Sequence, residues 1–204
     1  MLFIKFTDAD TQIAKGIIAQ FKKQKTKKEI FYNFCFCVLV AQMKFLTVSK
    51  VIQRLIDAEF YESSLFNKDK LLELIKEIRF RNRKVEFLIK LHNNFDNISD
   101  IFFPILVSDA DPLSKRKWLV NGIHGMGMKS ASHFLRNNGE EDLAIIDTHI
   151  LKFLKIDIDA GPFDYLKVEE EFRNHAREHD LSVAVFDALI WKFYSGVDWE
   201  KFVY

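Results

Sequence analysis

The sequence predicts an all-α fold, and three observations predict it. Apolar residues recur at three- and four-residue intervals along most of the chain. Nowhere does apolar–polar alternation persist long enough for a half-buried strand. Only seven Gly and three Pro interrupt 204 residues, which favours long helices over a strand-and-turn architecture.

Ile13, Ile17, Ile18 and Phe21 mark a first amphipathic helix over residues 10–25. Residues 28–42 are apolar nearly all round and predict a central buried helix. Residues 48–58 and 68–78 give two further amphipathic helices, the second with Leu71, Leu72, Leu74, Ile75 and Ile78 as a broad apolar face. Val85, Leu88, Ile89 and His92 continue the pattern over residues 83–93. Pro112 after Asp111 is a helix start, Pro being tolerated where no N–H is needed. That helix runs through 113–120 into a glycine turn, and 129–137 forms the second arm of a hairpin closed by Gly139. Asp147 is placed to cap a helix over 148–154. Gly161-Pro162 breaks the chain before closing helices over 164–179 and 182–194. A division near residue 105 is expected, with the first and last helices packing together.

Apolar residues make up 49% of the chain, 21 of them Phe, so a large core is available and disorder is disfavoured. A net charge of +1 gives no global field for a polyanion. Charge is nevertheless clustered in three basic runs, over 22–28, 79–84 and 115–117, each of them either a solvated face or a backbone contact. Cys35 and Cys37, two apart within an apolar helix, point away from each other and read as buried free thiols of a reducing cytosol. The apolar run 31–40 is too short to span a bilayer, and the N-terminus lacks the pattern of a signal peptide.

Chemistry concentrates in Asn121-Gly-Ile-His-Gly-Met-Gly-Met-Lys129 and in Asp147. Gly125 and Gly127 are free to take φ > 0 and let a phosphate approach without a Cβ clash. The first amides of the following helix offer donors at the positive end of its dipole. Such contacts position a nucleic-acid backbone without reading its bases. An amine is a nucleophile only when neutral, and the start of a helix disfavours an ammonium. Asp147 emerges from the apolar run 143–146. An anion so fixed can stabilise positive charge developing at a sugar C1′ or assist deprotonation of the attacking group. The alternatives are a hairpin whose glycines serve only close helix packing, a phosphate-contacting or solvated lysine and an aspartate that only caps.

Gly122-Ile-His-Gly-Met-Gly-Met-Lys-Ser-Ala-Ser-His-Phe-Leu-Arg-Asn137, followed by Ala144-Ile-Ile-Asp-Thr-His-Ile-Leu151, resembles the helix–hairpin–helix DNA glycosylase superfamily, and within it the second-type 8-oxoguanine DNA glycosylase/AP lyases. The resemblance implies a single domain over 1–204 built of two helical lobes, with the hairpin at 113–137 and the aspartate segment at 143–151. It implies a bifunctional base-excision repair enzyme needing no cofactor, whose partner is duplex DNA containing 8-oxoguanine. The damaged nucleotide would be flipped into a pocket between the lobes. Lys129 would attack C1′, expel the base and form a Schiff base, and β-elimination would nick the strand 3′ to the lesion. Asp147 matches the family's catalytic aspartate. Amides of Gly125, Gly127 and Lys129 would hold a phosphate, and carbonyls of Asn121, Ile123 and Met126 a monovalent cation. Phe80 and Trp191 resemble the aromatic pair that sandwiches the base, with Asp187 one turn before Trp191 contacting its edge. Gln42, at the end of the apolar helix, resembles the residue that fills the gap left in the duplex. Three positions depart from the family: Met43-Lys44 follows Gln42 in place of small polar residues, Thr148 stands where Arg is commoner, and the tail ends in Tyr204 rather than lysine. The four-cysteine motif of iron–sulfur relatives is absent. A monomer acting on DNA in a prokaryotic cytoplasm is expected. The alternatives are a non-catalytic DNA-binding module and a glycosylase/lyase for another damaged base.

Overall fold

A computed structural model of the chain describes residues 4–63, 66–157 and 159–196. Among these residues every regular element is a helix. They run α1 (Asp8–Phe21), α2 (Lys27–Leu39), α3 (Phe45–Asp57), α4 (Lys68–Leu74), α5 (Arg81–Val107), α6 (Pro112–Gly122), α7 (Met128–Arg136), α8 (Thr148–Phe153), α9 (Tyr165–Glu178) and α10 (Val183–Ser195). The chain divides into two compact units, residues 24–134 and residues 1–23 with 135–204. The expected division near residue 105 falls inside α5, which continues without a break to Val107.

The continuous unit is built on aromatic residues. The buried ring of Phe31 on α2 meets Tyr32, Phe60, Tyr61, His92 and Phe95, mostly edge to face. Phe34, one turn on, stacks on Phe134, and Phe102 stacks on Trp118. α2 begins with a capping box in which Thr26 and Glu29 satisfy each other's backbone amides. The backbone amide and the hydroxyl of Thr26 hold the Glu29 carboxyl below its ordinary range. α2 ends at Leu39 rather than at 42, and α4 ends at Leu74 rather than at 78. In both places the helical spacing of apolar residues runs on into a turn, because apolar groups in the turn are also needed for packing. α5 is more than twice its expected length. Val85, Leu88, Leu91, Phe95, Ser99 and Phe102 keep one buried face through residue 102, and Pro104 lies inside its last turn.

The second unit joins the chain's ends. α10 packs against α1, α8 and α9. Phe172, Phe186, Ile146, Ile150 and Ile190 form one buried cluster, and Ala14, Ile18, Ala184, Val185 and Leu189 form a second between α1 and α10. Asp10 pairs with Lys192, tying α1 to α10. Cys35 and Cys37 are both free and buried, and burial pushes the Cys35 thiol well above its ordinary value. No helix among the described residues is long and apolar enough to cross a membrane. Among the same residues no group of three His, Cys, Asp or Glu could hold a metal ion.

Candidate active site

The hairpin is anchored from beneath by its apolar residues. Asp111 caps α6 through the Ser114 amide, with Pro112 at the first position. Leu119, Ile123, Met126, Ala131 and Phe134 are buried, while Asn121, Gly122, His124, Gly125 and Gly127 remain exposed. The turn closes through Ile123 N–H to Leu119 O and Met126 N–H to Ile123 O, and Ala131 N–H to Gly127 O opens the α7 ladder. Lys129, half-buried, therefore sits in the first turn of α7, where amides precede the first helical bond. Arg116, only 1% exposed, donates to Ser132 Oγ and braces α6 to α7. The basic run 115–117 is thus solvated only in part: Lys115 and Arg116 are buried and Lys117 is exposed.

The two glycines do different work. Gly125 has φ +88°, and a Cβ there would lie 2.3 Å from the Phe87 ring of α5. Phe87 also meets the His124 imidazole edge to face, and Lys90 lies 3.2 Å from His124 Nε2. Gly127 is not in the left-handed region, because its carbonyl starts α7 and that position takes ordinary φ. A Cβ at Gly127 meets nothing within 4 Å. Gly125→Ala should therefore cost about 1–3 kcal/mol, while Gly127→Ala should stay within about 0.5 kcal/mol of wild type. Urea melts of the two variants check this, and equal midpoints would contradict it.

Beside the hairpin, in the same unit, lies a cavity of about 1260 Å³. Gln42, Phe80, Arg81, Arg83, Lys84 and Phe87 line it together with the turn 120–127. Gln42 is not the last residue of the apolar helix. It stands in the turn beyond, with φ +59°. Phe80 also has positive φ (+57°), precedes α5 and is 59% exposed, so it is no core aromatic. Bulky residues held in this conformation are strained and need support from their surroundings. Lys84 supplies part of it: its Nζ donates to Leu39 O (2.7 Å) and Ala41 O (2.8 Å), the terminal carbonyls beneath Gln42. Met43 supplies the rest, its sulfur accepting the Arg79 amide and so joining the Gln42 turn to the Phe80 turn. The methionine that departs from the family pattern is a brace between the two strained turns.

Burial, with the Arg79 guanidinium adding to it, pulls Lys84 from 10.5 down to about 8. Below pH 8 both the folded and the unfolded chain carry this ammonium. Between about 8 and 10.5 the unfolded chain holds a proton that the folded chain has released, so this group makes stability rise with pH. Lys84→Met lacks the effect. The stability of the wild type relative to Lys84→Met should grow across that window in parallel urea melts, and a constant difference would contradict it.

In the other unit, Asp147 caps α8. Its Oδ1 accepts from His149 N (2.8 Å) and Ile150 N (3.1 Å), so the cap engages one carboxylate oxygen. The preceding residues 143–146 are buried and lie outside any helix. Asp187, 5% exposed, accepts the Ile145 amide at 2.9 Å through Oδ2. Trp191, one turn on in α10, is half-buried. Tyr204 and the rest of 197–204 lie outside the described residues. Phe87, Lys84, Arg116, Glu169 and Tyr165 were not singled out from sequence, and Asp187 was singled out for another role. Only the basic runs 79–84 and 115–117 hinted at Lys84 and Arg116.

The family model for 8-oxoguanine DNA glycosylase matches residues 14–181. A Fusobacterium nucleatum protein named 8-oxoguanine DNA glycosylase/AP lyase is 33% identical over 184 residues, spanning 84% of this chain and 82% of its own. The like-named Methanocaldococcus jannaschii protein is 35% identical over 212 residues, spanning 96% and 98%. The fold is similar to the crystal structure of the M. jannaschii 8-oxoguanine glycosylase/lyase in complex with a 15mer DNA containing 8-oxoguanine, with a TM-score of 0.77, 31% identity and 91% of each chain covered. With the match running through both units and through the hairpin and the aspartate cap, the chain belongs to the 8-oxoguanine DNA glycosylase family.

Proposed function

We propose that this protein excises 8-oxoguanine from duplex DNA and then nicks the strand as an AP lyase. The observation that carries the reading is the family match across both units of a chain that has Lys129 on the glycine hairpin and Asp147 on the α8 cap. The neutral Lys129 amine attacks C1′ of the flipped nucleotide. The C1′–N9 bond breaks, and its electron pair leaves with the base. Asp147 stabilises the positive charge at C1′ as that bond breaks. The amine loses a proton, the sugar ring opens and an imine joins Lys129 to C1′. Removal of a C2′ proton then expels the 3′ phosphate oxygen and cuts the strand. Neither step calls for a cofactor.

The DNA backbone is held by the amides of Gly125, Gly127 and Lys129 at the start of α7. The openness around Gly127 supports this, since nothing there obstructs a phosphate. Gly127→Ala should fold normally yet bind duplex DNA more weakly. The carbonyls of Asn121, Ile123 and Met126 suit a monovalent cation: they are oxygen donors around the C-terminal end of α6, where the dipole is negative. Ile123 O already accepts the Met126 amide and retains its second lone pair. Gln42 and Phe80 face the duplex from their strained turns. Phe80, Trp191 and Asp187 remain the proposed contacts of the flipped base. The protein acts as a monomer, and its two buried free thiols support a reducing cytoplasm as its compartment.

A panel of duplexes, each with one damaged base and an undamaged guanine control, tests the substrate. Release and nicking should be fastest with 8-oxoguanine. Faster action on another lesion would overturn that assignment while leaving the chemistry in place.

A further inference from the structure

Residues 143–146 are buried and lie outside every helix, and no strand among the described residues pairs their amides. A buried amide left unpaired is costly, so its partners are part of the design. Here each partner is a side chain. Ala144 N–H donates to Glu169 Oε1 (3.0 Å), Ile145 N–H to Asp187 Oδ2 (2.9 Å) and Ile146 N–H to Tyr165 Oη (3.2 Å). Tyr165 returns its hydroxyl proton to Ala144 O at 2.8 Å. Residues 144 and 146 are met from α9, where Tyr165 and Glu169 are one turn apart, and 145 is met from α10.

The two helices thus take the place of flanking strands and fix the register of the segment. The next residue is Asp147, whose own Oδ1 is fixed by the α8 amides. Glu169 is 2% exposed. Burying a carboxylate is a poor way to gain stability alone. Charge-assisted bonds do, however, hold a backbone more tightly than neutral ones.

We propose that Glu169, with Tyr165, is a positioning residue that sets the Asp147 carboxylate for the reaction. This rests on the reading of Asp147 given above. The positioning acts through the backbone: Glu169 and Tyr165 touch neither the sugar nor the base. Displacement of Asp147 by an ångström or less lowers the chemical rate without altering how DNA is gripped by the hairpin.

The test is single-turnover excision from an 8-oxoguanine duplex by the full chain, with Glu169→Ala, Glu169→Gln and Tyr165→Phe made in the wild type and in Asp147→Asn. Burst amplitude reports the folded, active fraction, and the first-order rate reports positioning. In the wild-type background Glu169→Ala should lower the rate by about tenfold to 100-fold with DNA affinity unchanged. Glu169→Gln should recover most of the rate, because its amide oxygen still accepts the Ala144 N–H. In the Asp147→Asn background the same changes should lower the rate no further, since they act through the missing charge. Equal losses in both backgrounds, or a reduced amplitude at wild-type rate, would show a structural role and overturn the proposal. If Glu169→Ala does not fold, Tyr165→Phe decides by the same comparison, and a wild-type rate in it overturns the proposal. Asp147→Asn at wild-type rate would instead sink the reading of Asp147, whatever the Glu169 variants do.

Discussion

Lys129→Gln is expected to lose base excision and strand nicking by about 10⁴-fold or more while folding as the wild type does. The size follows from what is removed. Glutamine retains the length and polarity of the side chain but has no amine to attack C1′, so both chemical steps lose their shared nucleophile. The fold should be spared because Lys129 is only half-buried in the first turn of α7, while the hairpin is held by Ile123, Met126, Ala131 and Phe134. The Arg116–Ser132 brace and the Gly125–Phe87 packing are untouched as well. Single-turnover rates beside a urea melt check both halves of this expectation. A variant that folds and still nicks at the wild-type rate would remove Lys129 from the chemistry.

Asp147→Asn is expected to lower the excision rate by about 10²- to 10³-fold, with a loss of stability below about 1 kcal/mol. Cap and charge separate cleanly here. The α8 cap uses Oδ1 alone, and an asparagine oxygen accepts the same two amides from His149 and Ile150. What disappears is the negative charge. Asp147→Ala removes the cap too and should cost about 1 kcal/mol more of stability, with a similar rate loss. Thermal melts and single-turnover rates of the two variants give the comparison. An asparagine variant at full rate, beside an alanine variant that is only less stable, would make Asp147 a cap and nothing more.

Much of this fold was legible in the sequence, for stated physical reasons. Each helix among the described residues overlaps a stretch read as helical from sequence, by apolar spacing for α1, α3, α4 and α5 and mainly by caps and breakers from α6 on, and the side-chain caps at Asp111, Asp147, Asp164 and Ser182 stand where short polar residues precede a helix. Spacing misled wherever apolar residues continue past a helix end. Ile75 and Ile78 are buried like helix residues, yet they belong to the turn that presents Phe80. The second half of α5 was missed because Asn93 and Asn94 interrupt the pattern, although Phe95 and Phe102 resume it.

At the site, Gly125 was legible as a glycine that needs positive φ. Its packing on Phe87 was not, because a contact between residues 38 positions apart leaves no local trace. Gln42 and Phe80 were noticed for their side chains. Their shared left-handed backbone, held by Lys84 and Met43, is a tertiary property. Lys115 and Arg116 show the reverse error. Charge in sequence suggested a solvated face or a backbone contact, whereas both are buried and Arg116 meets Ser132. The Glu169 bond to Ala144 was hidden for a similar reason, since a buried acid on a polar helix reads as one more surface charge, and Asp187 was read as a contact of the base rather than of the Ile145 amide.

The most direct measurement of the central claim is borohydride trapping on a duplex carrying a single 8-oxoguanine, followed by mass-spectrometric mapping of the cross-linked peptide. The chemistry proposed here gives a covalent protein–DNA adduct on Lys129, formed with the 8-oxoguanine duplex and not with its undamaged counterpart. No adduct, or an adduct on another lysine, would contradict it.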